Sequence, residues 1–213
     1  MTLHSVTSGL TGDFPPSVIP GLTGDFPPSV IPGLTGDLMY GISKYILYLY
    51  DYCRKKMKIT LLTVGKTDKD WVKQGMDIYV SRLKHYIPFS VVEIPELKNV
   101  SALTKDQIKT REGELILKNI KPTDDLILLD ERGKQYTSIE LAKVIQDKIS
   151  YVGKDIVYVI GGAYGFSDAV YQRANSKISL SKMTFSHQMV RAIFVEQIYR
   201  AFTIMKGEPY HHE

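Results

Sequence analysis

Apolar residues change their rhythm along this chain at residue 57. From there, Lys58 to Val64 (KITLLTV) is a short apolar run rich in β-branched residues and predicts a strand. Between Asp68 and Tyr86, the residues Trp71, Val72, Met76, Tyr79, Val80 and Leu83 stand three and four apart, the spacing of one helix face. Phe89 to Ile94 predicts a second strand, and Thr104 with Gln107 has the spacing of a capping box opening a helix to about Asn119. Leu126 to Asp130 (LILLD) and Ile156 to Ile160 (IVYVI) are almost wholly apolar, as strands covered on both faces should be. Between them Gly133 reads as a turn, and Thr137 with Glu140 caps a helix to about Tyr151. Gly161-Gly162 ends the later strand; a short helix near Asp168 to Asn175, a strand near Ile178 to Leu180 and a long helix from about His187 to Lys206 follow. Strand alternating with helix implies an α/β fold, a mostly parallel sheet sandwiched by helices.

Before residue 57 neither rhythm is present. Gly9 to Pro20 (GLTGDFPPSVIP) is repeated letter for letter from Gly21 to Pro32, and a third copy starting at Gly33 breaks off after Asp37. Its glycines and paired prolines supply turns and extended chain but no apolar face, and two and a third copies are too few to stack as a solenoid, so the segment is expected to be disordered. Leu38 to Tyr50 is an apolar stretch of 13 residues, short of the roughly 20 that span a bilayer, with its basic residues on the wrong side for a secretory leader. The expected organisation is therefore a repeat-bearing extension, 1–56, and one folded domain, 57–213, with Met57 as the natural start.

Charge agrees with that division. Of 27 basic and 23 acidic residues, four of each lie before residue 57, leaving 23 bases against 19 acids in the domain. This mild excess suits a polyanionic partner without requiring one. The single cysteine, Cys53, excludes an internal disulfide and any zinc site built on two thiolates, and points to the cytoplasm.

Open α/β sheets bind ligands beyond the carboxyl ends of their strands, which directs attention to Leu129 to Gly133, Gly161 to Gly165 and Ser179 to Phe185. The GGAYG turn is neither a GxGxxG fingerprint nor part of a P-loop, and no paired histidines, GxSxG elbow or carboxylate cluster announces hydrolysis or a metal. Apolar residues cover most of the circumference of the long helix, from Met189 and Val190 to Ile204 and Met205, which suggests packing against a second subunit. Within it Glu196 and Arg200 are spaced to pair, while Arg191 shares a face with His187 and, if buried alone, would invite an anionic ligand.

Five segments together carry a resemblance: MKITLLTVGK at 57 to 66, LLDERGK at 128 to 134, VIGGAYG at 159 to 165, SLSKMTFSHQMVR at 179 to 191 and EQIYRAFTIMKGEPYHH at 196 to 212. In this order they resemble the 23S rRNA (pseudouridine-N3)-methyltransferases of the SPOUT class, over the whole of 57–213. The resemblance implies a trefoil knot at the carboxyl end, a feature too rare for periodicity to predict. It implies S-adenosyl-L-methionine as cofactor, held by Leu129, Gly161 and the run Leu180, Ser181, Lys182, Met183, Thr184 and Phe185. The implied partners are 23S rRNA in the assembled 70S ribosome and a second copy of the chain, without metal or membrane. His187, Arg191, Tyr210 and His211 are the candidate catalytic residues, with Tyr210, His211 and His212 forming a tail that in the family reaches the partner's pocket.

Two other classes share parts of this pattern. A dinucleotide-dependent oxidoreductase would alternate strand and helix but should carry GxGxxG and a later acidic residue, which are missing. A non-catalytic ribosome- or RNA-binding α/β module would share the modest positive charge and should not bind S-adenosylmethionine.

Overall fold

In the computed structural model, residues 57–210 are described; the expectations for residues 1–56, and for His211 and His212, lie outside the described residues. The chain runs β1 (Ile59–Val64), α1 (Asp70–Leu83), β2 (Phe89–Ile94), α2 (Lys105–Lys118), β3 (Asp125–Gln135), α3 (Ser138–Asp147), β4 (Ile156–Ile160), α4 (Asp168–Arg173), β5 (Ser176–Ser179) and α5 (Met189–Lys206). The strands form one sheet in the order β2-β1-β4-β3-β5, with every pairing parallel.

Alternation within the strands sorts the core into two layers. Ile59 and Leu61 of β1, Ile127 of β3, and Ile156, Tyr158 and Ile160 of β4 face α1, α3 and α5. Leu62, Val64, Leu126, Leu128, Val157 and Val159 project to the other face, where Ile116 of α2 and Val170 of α4 cover them. A sheet covered on both sides needs no polar face, which is why β1 and β4 are buried at each position.

Helix starts follow the sequence signals closely. The Thr104 hydroxyl accepts from the Gln107 amide and the Gln107 side chain accepts from the Thr104 amide, and Thr137 with Glu140 repeats the arrangement. α3 ends earlier than expected and passes into a π-helical turn, Lys148–Val152, closed by Gly153 in the left-handed region at φ 61°.

One expectation about β3 needs correction. Gly133 does not turn the chain away but lies inside the strand, which continues to Gln135 after a bulge. Ile178 of β5 pairs with both Leu129 and Lys134, so residues 130 to 133 loop out of the ladder and return to it at the same place. A Cβ on Gly133 would stand 2.3 Å from the Ile178 carbonyl carbon, so only glycine permits this approach.

α5 uses its apolar residues first within its own chain. Phe194, Val195, Ile198, Ala201 and Phe202 are already buried against α1, α3 and the sheet of their own chain, so most of its apolar circumference is used without a second subunit. Met189 of α5 stays exposed and Ile193 half-buried, and Trp71 and Ile78 of α1 are exposed as well.

Candidate active site

At the carboxyl edge of the sheet, three strands end in unlike ways and leave a cleft of about 390 Å³. β3 supplies Leu129 and the looped-out Asp130, Glu131 and Arg132. β4 stops at Ile160 and is followed by the turn Gly161 to Gly165, closed by a bridge between Gly162 and Gly165, with Gly165 at φ 79°. β5 contributes Ile178 and Ser179 and leads into Leu180 to His187.

The loop after β5 is held by its own hydroxyls. Ser179 Oγ donates to the Ser181 carbonyl at 2.8 Å, and Ser181 Oγ accepts from the Met183 amide at 2.9 Å. Met183 is left 75% exposed at the mouth, an apolar side chain that the described residues do not cover. Leu129, Ile160, Ile178, Leu180, Phe185 and Val190 make the walls apolar, while Asp130, Arg132, Tyr164, Tyr171, Ser181, Thr184 and His187 bring polar atoms to them. Apolar walls with a few polar groups are what a small organic cofactor requires.

Seven of the eight expected cofactor residues, Leu129, Gly161, Leu180, Ser181, Met183, Thr184 and Phe185, line this one cleft; Lys182 is exposed and is not among the lining residues. Gly161 also makes room for a side chain of its own chain. A Cβ there would meet the Phe166 ring at 3.0 Å, so its lack of a side chain seats Phe166, itself a wall of the cleft.

The four catalytic candidates separate. His187 lines the cleft and is exposed. Arg191 is not among the lining residues: it is fully buried and donates to the carbonyls of Val64 at 2.8 Å, Gly65 at 3.0 Å and His187 at 3.0 Å, and to Thr67 Oγ1 at 2.9 Å. Its guanidinium is therefore not the unpaired group that would invite an anionic ligand; backbone carbonyls at the end of β1 satisfy it. Glu93 stands 3.9 Å away, and although burial pushes that carboxyl up, bonds from Thr67 and the charge of Arg191 bring it below the usual carboxylate range.

Tyr210 packs back against α5 and is not among the residues lining the cleft of its own chain. Its ring meets Tyr199 edge-on at 4.9 Å between centroids, Arg200 lies over it at 4.7 Å, and its hydroxyl donates to Glu196 Oε1 at 3.2 Å. Glu196 and Arg200 form the expected pair, at 2.7 Å. α5 begins at the cleft, and Tyr199, which the Tyr210 ring meets, stands ten residues beyond its first residue, roughly 15 Å along the axis at 1.5 Å per residue.

Asp130 and Tyr171 are cleft residues that sequence reasoning did not single out. Tyr171 Oη donates to Asp130 Oδ2 at 2.5 Å, and the Arg132 amide donates to Asp130 Oδ1 at 2.8 Å. Asp130 lay within a loop marked for attention, directly after a buried strand; Tyr171 sits on a six-residue helix with no motif to mark it.

An open parallel sheet whose carboxyl edge gathers a glycine turn and two further loops around such a cleft defines an α/β cofactor-binding protein of the enzyme type. Residues 57–211 match the family described as predicted SPOUT methyltransferase, and the chain belongs to that family. Proteins named ribosomal RNA large subunit methyltransferase H are its relatives: that of Parabacteroides distasonis is 55% identical over 157 residues, covering 74% of this chain and 100% of its own. That of Bacteroides thetaiotaomicron is 56% identical with the same coverage, and that of Cytophaga hutchinsonii 54% identical over 156 residues, covering 73% of this chain and 100% of its own. Among solved structures, the A. aeolicus TrmH/SpoU tRNA modifying enzyme aligns over 81% of this chain and 90% of its own at 13% identity and a TM-score of 0.35, too low to bear on the argument.

Among the described residues no helix is long and apolar enough to cross a membrane, and no group of three or more His, Cys, Asp or Glu is placed to hold a metal ion.

Proposed function

We propose that this protein methylates N3 of a pseudouridine in 23S rRNA of the assembled 70S ribosome, in the cytoplasm, with S-adenosyl-L-methionine as donor. The observation that carries this reading is the convergence of Leu129, Gly161 and the Leu180 to Phe185 loop on one cleft. The residues fit the cofactor: apolar walls for an adenine, hydroxyls at Ser181 and Thr184, and a volume within the usual range for small-ligand sites. When bound, S-adenosylmethionine supplies a methyl group on a positively charged sulfur, ready for in-line displacement.

The chain's own task is then alignment and proton handling. Leu129, Ile160 and Leu180 give the cleft apolar walls that would exclude water around a bound donor, and the loop after β5 would help to hold and orient it. N3 of a pseudouridine is an imide nitrogen that becomes nucleophilic as its proton leaves, and His187, exposed at the cleft, is the side chain in position to hold that proton. Arg191 positions His187 through its carbonyl.

A homodimer completes the reading. We assign the exposed apolar residues Trp71, Ile78 and Met189, with the half-buried Ile193, to contact with a second copy, and Tyr210 with His211 would serve that copy's cleft, since Tyr210 packs against α5 and does not line its own. The trefoil knot at the carboxyl end belongs to this reading on the family resemblance alone. The domain is 57–213, and 1–56 is dispensable for it.

Incubation of 70S ribosomes with the protein and methyl-labelled donor, followed by mass mapping of 23S rRNA, tests this. One methyl on N3 of a pseudouridine is expected, reduced about a hundredfold in His187→Ala with donor affinity retained. Ribosome binding without donor binding would replace the enzyme by an RNA-binding module.

A further inference from the structure

We propose that Asp130, held by Tyr171, recognises the ribose hydroxyls of the cofactor and makes this cleft selective for a ribonucleoside. The assignment rests on reading the cleft as the S-adenosylmethionine site. Asp130 is the first residue to leave the β3 ladder at the bulge, immediately after Leu129, and it lines the cleft. Each of its oxygens already accepts one bond, from Tyr171 Oη at 2.5 Å and the Arg132 amide at 2.8 Å. A carboxylate has about four acceptor positions, so roughly two remain for a ligand.

Tyr171 is fixed in turn. Its ring stands edge-on to Phe166 at 5.8 Å, and the Lys177 ammonium lies 5.3 Å from its centroid. Burial, with the bond to Asp130, pushes its phenol up to about 12, so it remains a donor across the neutral range. A carboxylate clamped in this way presents its free lone pairs in one direction, which suits two adjacent hydroxyls. Acidic side chains at the ends of parallel strands take ribose hydroxyls in other open α/β sheets for the same reason. A partnership with the sulfonium would work against the reaction, because it would favour a charge that methyl transfer removes.

Calorimetry on the full chain, with S-adenosylhomocysteine, its 2′-deoxy and 3′-deoxy analogues and 5′-methylthioadenosine as probes, tests the assignment. The wild type should prefer the ribose form over at least one deoxy analogue by about tenfold. Asp130→Asn should lower affinity for S-adenosylhomocysteine and for methylthioadenosine about tenfold and abolish that preference. Tyr171→Phe should lower it about threefold, and add nothing in the Asp130→Asn background, because Tyr171 acts through Asp130. Equal wild-type affinity for ribose and both deoxy forms would overturn the proposal without any variant. A loss in Asp130→Asn confined to S-adenosylhomocysteine would assign the carboxylate to the amino-acid ammonium instead and overturn it as well. Failure of the wild type to bind S-adenosylhomocysteine at all would remove the cofactor reading and this assignment with it.

Discussion

The two ends of the sheet finish the same strands in opposite ways. At the amino end, side chains tie down the connecting loops. Arg173 donates to the carbonyls of Lys121 at 2.8 Å and Asp124 at 2.9 Å, Asn175 accepts from the Leu126 amide, Lys148 pairs with Asp125 at 2.6 Å, and Asp155 accepts from the Lys58 amide. At the carboxyl end Arg191 anchors the β1 side to backbone carbonyls, while above β3 and β5 the side-chain bonds of Asp130, Ser179 and Ser181 shape loops that surround a cleft. A parallel sheet leaves unpaired backbone groups at both ends. One end meets them with side chains, while the other leaves room for a ligand, as strand polarity in open α/β sheets favours.

The largest effect should come from removing the buried anchor at the carboxyl end. Arg191→Met leaves three carbonyls of the β1 end and the His187 turn without their donor, and should cost about 3–5 kcal/mol in urea unfolding. If Arg191 instead handled substrate directly, the variant would keep its stability and lose only activity. Gly161→Ala sharpens the contrast from the ligand side: its methyl would press Phe166 at 3.0 Å, so donor affinity by calorimetry should fall about tenfold with stability changed by about 1 kcal/mol. Arg173→Ala, at the opposite end, should cost roughly 1–2 kcal/mol by thermal unfolding and leave donor affinity unchanged. A change in affinity there would mean that the two ends are coupled.

The smallest effect concerns Glu112 of α2, whose Oε2 is buried beneath Gly162 without a hydrogen-bond partner among the described residues. Burial, and then the charge of Glu96, raise its pKa above the usual carboxylate value. A raised carboxyl favours the folded state only while protonated, an advantage present below the unfolded pKa and lost as pH rises through the folded one. Glu112→Gln should therefore gain up to about 1 kcal/mol at pH 7 and nothing near pH 3, read from thermal unfolding at the two pH values.

Much of this was legible before any coordinates. Buried strands such as Ile156 to Ile160 and the two capping boxes follow from local chemistry, and both capping boxes hold. Strand polarity alone pointed to the loops that form the cleft. The bulge in β3 was not legible, because Gly133 answers to the backbone of Ile178, a residue 45 positions later, rather than to its neighbours. Nor was the state of Arg191, whose acceptors are carbonyls on β1, invisible to any pattern of side chains. Tyr171 escaped for a related reason: its partner Asp130 is 41 residues away on another strand.

The bulge has an evolutionary side. Because Leu129 and Lys134 meet the same residue of β5, the lip of residues 130 to 133 begins and ends at one point of the sheet. Residues added to or removed from the lip would leave the strand register on either side intact. Doubling its length would cost only about 0.6 kcal/mol in closure entropy. Such a lip can be rewritten by insertion and deletion while the scaffold stays as it is, provided a glycine remains where the chain rejoins Ile178. The cleft's selectivity can therefore drift faster than the fold that carries it.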